Sequence, residues 1–75
     1  MNNKTEKDIL DLELEKQILF EKTLSNKLKR FRKANERVAN AVSQEEIEET
    51  ELELKTTSIQ RKILEKKIRD VDHNQ

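Results

Sequence analysis

The chain has 75 residues, with 16 Lys and Arg balanced by 16 Asp and Glu, and it contains no Gly, Pro, Cys, Trp or Tyr. That length allows one small domain at most, and without Cys there is neither a disulfide frame nor a thiolate metal site. The lack of Gly and Pro removes the tight turns of hairpin-rich β folds, and a net charge of zero argues against a general polyanion binder.

The amino-terminal stretch, residues 1–15, is acidic and has no apolar core, so no secretory signal is expected there. The longest uninterrupted apolar run is Ile18-Leu19-Phe20, far too short to span a bilayer. An intracellular, soluble protein of cytoplasm or nucleus is expected by elimination. From about residue 6 the chain is rich in helix formers. Leu24, Leu28, Phe31, Asn35, Val38 and Val42 alternate three and four apart, which is a heptad seam. Leu10 and Leu14 keep the same phase, with Gln17 and Glu21 reading as interruptions. The first helix is therefore predicted over about 6–39, with Thr5 and Asp8 as a weak capping box.

A phase slip follows. Ile47, Thr50, Leu54, Thr57, Arg61, Leu64, Ile68 and Val71 form a second seam that cannot continue the first in register. At the slip, Ser43 and Glu46 read as N-cap and N3 of a capping box, with Val42 and Ile47 placed for a hydrophobic staple. Asn40 is the best available left-handed residue in a chain without Gly. A turn is predicted over about 40–43, a second helix over about 44–69 and a frayed tail over 70–75.

Charge blocks choose between a hairpin and one long helix. Residues 6–21 and 45–53 are mainly acidic, whereas 22–37 and 55–69 are mainly basic. Folding the chain back around residue 42 sets Arg30, Lys33 and Arg37 toward Glu45–Glu53, and Lys62–Arg69 toward Glu13–Glu21. A parallel in-register dimer of long helices would set each block against its own kind. The expected fold is all-α, an antiparallel helical hairpin of coiled-coil type that associates into a helical bundle.

Association is expected because a lone hairpin is thin. Twenty Ile, Leu, Val and Phe residues, at ~2 kcal/mol each, fall well short of the entropy of ordering a chain of this length. Leu12 and Leu19 fall opposite the first seam, and Leu52, Ile59 and Ile63 fall away from the second. The expected protein interface gathers Ile9, Leu12, Leu14, Ile18, Leu19 and Phe20 with Leu52, Ile59, Ile63, Leu64 and Ile68. Another hairpin, or a groove on another protein, would cover it.

Chemistry has little to work with. His73 is the single imidazole, near the carboxyl end. The acidic run Glu45, Glu46, Glu48, Glu49, Glu51, Glu53 lacks the wrapping loop of an oxygen cage and the Glu-x-x-His motifs of a di-iron bundle. No enzyme, cofactor, metal or small-molecule substrate is expected. The basic run supplies a second candidate surface, Lys27, Lys29, Arg30, Lys33 and Arg37, for nucleic acid or an acidic partner. Lys33-Ala34-Asn35-Glu36-Arg37 resembles a fragment of the basic region of leucine-zipper or helix-loop-helix factors, without their full pattern of paired basics. The expected function is a non-enzymatic adaptor, assembly subunit or small regulator working by coiled-coil protein–protein interaction. The alternative is a small nucleic-acid-binding regulator built as a dimeric antiparallel bundle. Asn35 and Arg61, polar at seam positions, either fix register or snorkel outward.

Overall fold

The computed structural model describes residues 3–73. Two helices, α1 (Asn3–Arg37) and α2 (Gln44–His73), pack antiparallel along their lengths. The hairpin measures 55 × 14 × 14 Å, about half the reach of a single helix of this length.

The seam explains the packing. In α1 the positions Leu10, Leu14, Gln17, Glu21, Leu24, Leu28, Phe31 and Asn35 are all buried or half-buried. Gln17 and Glu21, expected to interrupt the phase, continue it: the break is in polarity and not in geometry. In α2, Ile47, Thr50, Leu54, Thr57, Arg61, Leu64, Ile68 and Val71 turn inward in the same way. Among the described residues the buried apolar positions are Leu28, Ile47 and Leu64, joined by Thr50. Thr50 tolerates burial because its hydroxyl donates to the Glu46 carbonyl one turn back, at 2.9 Å.

Without Gly or Pro, side chains make the turn. α1 ends at Arg37, two residues before the expected boundary, although the Val38 N–H still reaches the Ala34 carbonyl at 2.9 Å. Val38 then leaves the helical phase and is 64% exposed, so it is not a seam residue. Asn40 takes the left-handed conformation at φ 63°, which Asn tolerates better than most side chains. The Asn35 amide reaches seven residues forward and clamps the turn from inside. Its Oδ1 accepts from the Val42 N–H at 2.8 Å and its Nδ2 donates to the Val42 carbonyl at 3.2 Å. Asn35 thus neither sets interhelical register nor snorkels; it closes the turn. Ser43 Oγ accepts from the Glu46 N–H at 3.1 Å, and the Ser43 carbonyl accepts from Ile47 at 3.2 Å, so α2 starts on its expected N-cap.

The outer ends differ from expectation. α1 is already helical at Asn3, which puts Thr5 and Asp8 inside it, and α2 continues to His73 instead of fraying after residue 69. Lys7 and Asp72, 3.1 Å apart, join the two ends. Residues 74 and 75 of the expected tail lie outside the described residues. Glu21 meets Arg61, where folding about residue 42 would have set Ile63 opposite, so the centre of the fold lies nearer Ala41.

These contacts rank two substitutions. Ser43→Ala removes one cap and should lower stability by ~0.5–2 kcal/mol. Asn35→Ala strands both main-chain groups of Val42 and should cost about 1–3 kcal/mol. Denaturant titration followed by circular dichroism measures both. A neutral Asn35→Ala would show that the clamp does not hold the turn.

Candidate interaction surfaces

Midway along the hairpin the seam turns polar. Arg61 Nε donates to Glu21 Oε1 at 2.7 Å, Nη1 donates to Glu65 Oε1 at 3.0 Å, and Nη2 lies 3.4 Å from Ser58 Oγ. Arg61 therefore settles inward, spanning the two helices, and does not snorkel out. The hydrogen bond from Arg61 holds the Glu21 carboxyl below its ordinary range, with Ser58 and Lys62 adding to the effect and partial burial opposing it. The Lys7 ammonium at the open end is raised by its hydrogen bond to Asp72 and by that carboxylate's charge. That exposed pair contributes little by itself.

Around this polar level the outside is apolar. Ile18, Leu19 and Phe20 are consecutive, so they point in three directions around α1, and all three are exposed. The Glu21–Arg61 pair sets them level with Ile59 and Ile63, which are exposed on α2. Ile9 and Leu12 extend the apolar surface toward the open end, and Leu52 extends it toward the turn. Exposure of these eight runs from 42% at Ile63 to 66% at Leu12. The other three expected interface residues belong elsewhere. Leu64 is buried, and Leu14 and Ile68 are half-buried, because they keep the seam phase and face the companion helix.

The hairpin has two unlike broad faces. On one, a groove of ≈ 870 Å³ has Leu28 and Leu54 among its lining, with Ile18 and Ile59 beside them and Lys22, Arg32, Lys55 and Lys62 at its margins. Ser25 and Ser58 also line this groove; their small side chains leave it open. The sequence reading passed over both, though their spacing from the seam residues was readable. On the other face, Lys27 and Phe31 of α1 share a shallow depression with Glu46, Glu49 and Glu53 of α2. Lys27 Nζ stands 5.5 Å from the centroid of the Phe31 ring, and Lys16 Nζ stands 5.8 Å from that of Phe20.

The basic candidates divide around α1. Lys29, Arg30, Lys33 and Arg37 are exposed and Lys27 is half-buried. The interhelical ion pairs among the described residues are Lys7–Asp72 and Glu21–Arg61, neither of which uses this run. Arg30, Lys33 and Arg37 thus do not face Glu45–Glu53 across the seam. They lie roughly opposite Leu24, Leu28 and Phe31, and a stripe opposite the seam points to solvent. Among the described residues, no group of His, Asp or Glu side chains converges to hold a metal ion, and no helix is long and apolar enough to cross a membrane. No family model, curated protein or solved structure matches the chain.

The lowered Glu21 carboxyl carries a pH signature. The folded state binds this proton less readily than the unfolded chain, so Glu21 stabilises the hairpin above the ordinary carboxylate value of ~4.3. That stabilisation disappears as pH falls through the lower folded value. Glu21→Gln should therefore melt below wild type at neutral pH, and the gap should close as the pH drops below about 4. A gap that stays constant down to strongly acid pH would contradict the pairing with Arg61.

Proposed function

We propose that this chain is a non-enzymatic adaptor, assembly subunit or small regulator that works by helix-on-helix contact with protein. One observation carries the reading: at the Glu21–Arg61 level the hairpin is polar inside and apolar outside. A two-helix unit built to stand alone would place Ile18, Leu19, Phe20, Ile59 and Ile63 in the seam. Their burial against a partner is worth roughly 1.5–3 kcal/mol per side chain. Soluble intracellular residence, and a coiled-coil mode of association, belong to the same proposal.

The nucleic-acid reading is second. Lys27 shares its face with Glu46, Glu49 and Glu53, so a phosphate backbone tracking that side of α1 would run beside an acidic helix. Arg30 and Lys33 remain exposed and could contact nucleic acid at the margin of that face.

The test compares two double variants. Leu19→Asp with Ile63→Asp should abolish association, read by light scattering and by cross-linking in cells, while keeping most of the helical signal. Arg30→Glu with Lys33→Glu tests the other reading. Salt-resistant duplex or RNA binding that is lost with Arg30/Lys33 and survives in Leu19/Ile63 would reverse the order of the two functions.

A further inference from the structure

The face carrying Lys27, Glu46, Glu49 and Glu53 has more order than chance requires. Phe20 and Lys27 are one heptad apart on the flank of α1 beside the seam, and Arg30, three residues on, lies about 60° farther from the seam at the solvent edge of that flank. Glu46, Glu49 and Glu53 alternate three and four apart on the matching flank of α2, and Ile63, two heptads beyond Glu49, lies about 40° farther from the seam at the outer edge of that flank. The shared depression shows that the two flanks adjoin. The face is therefore basic on α1 and acidic on α2 toward the turn. Farther along, Phe20 and Ile63 stand at one level because Glu21 pairs with Arg61. Among the described residues, neither Arg30 nor the three glutamates take part in an interhelical ion pair.

We propose that this face binds a second copy of the chain, with the two turns at the same end and the two-fold axis parallel to the hairpin. The proposal rests on the protein-interaction reading and names the partner for one face. That two-fold sets α1 of one copy against α2 of the other at the same level. Lys27 and Arg30 then meet Glu49 and Glu53 of the second copy, twice over, and Phe20 meets Ile63 of the second copy, also twice. The exposed Arg30, Glu49 and Glu53, with the half-buried Lys27, become complementary pairs between two hairpins. The size is adequate as well: a face 55 Å long and 14 Å wide is of the order of the ~800 Å² per partner that a stable interface buries. The groove face is different: Lys22, Arg32, Lys55 and Lys62 line it against Glu21 and Glu51, and Glu21 is already paired with Arg61, so two copies would bring together an excess of positive charge there.

Charge-swapped chains test the arrangement. Lys27→Glu with Arg30→Glu makes the turn half of the face acidic, and Glu49→Lys with Glu53→Lys makes it basic. Each swapped chain should self-associate at least ~10-fold more weakly than wild type in sedimentation at low salt. An equimolar mixture should recover a dimer containing one chain of each kind. If a swapped chain also folds poorly, helix and dimer should return together on mixing. Independently, Phe20→Cys on one chain should oxidise to Ile63→Cys on another. Swapped chains that dimerise like wild type, a mixture that stays monomeric, or Phe20→Cys linking to its own copy would each overturn the arrangement. A wild-type monomer at micromolar concentration would overturn the second copy, while Leu19-dependent cross-links to other proteins would leave the broader function standing.

Discussion

Each helix of this hairpin has one neighbour, and the rest of the structure follows from that limit. A helix with a single companion can bury only one stripe. Here that stripe includes Gln17, Glu21, Thr57 and Arg61 as well as leucines, so among the described residues buried apolar positions are few. The polar level costs the hairpin apolar burial. In return it supplies a directional contact, Arg61 to Glu21, that permits only a narrow range of registers. The large aliphatic residues at that level lie outside, where neither helix of the hairpin covers them.

The turn shows how a chain without Gly or Pro reverses direction. Three side chains divide the work. Asn40 supplies the left-handed residue, Asn35 satisfies both main-chain groups of Val42, and Ser43 caps α2. Asn35 and Ser43 use short polar side chains that hydrogen-bond to nearby backbone, the property that makes Asn and Ser poor helix-interior residues and good punctuation. Because the clamp comes from within α1, turn and seam are coupled: Asn35 is a seam position and a turn ligand at once.

Much of this was legible in the residues. The two seams, the phase slip between Val42 and Ile47, the Ser43 cap and the left-handed Asn40 could all be read, because each depends on local spacing and local hydrogen bonds. Two features could not be read, for one common reason: they need the helices placed in space. Glu21 looked like an interruption until Arg61 stood beside it. The Asn35–Val42 clamp joins residues seven apart through a turn whose path local rules leave open. Leu14, Leu64 and Ile68 were grouped with the interface by position along the chain, although their phase assigned them to the seam. The pairing of Arg30, Lys33 and Arg37 with the acidic run failed similarly. Block charge correctly indicated antiparallel topology, but a stripe opposite the seam cannot touch the companion helix.

The central claim is that the hairpin is completed by association, its exposed apolar residues being covered by another helical surface. Thermal melting across a wide range of protein concentration tests this most directly, because a folded state stabilised by association melts higher as concentration rises. The account predicts a melting temperature that climbs with concentration, together with a species larger than the monomer in light scattering. A sharp, cooperative melt of a monomer, unmoved by dilution, would contradict it and show that two helices suffice.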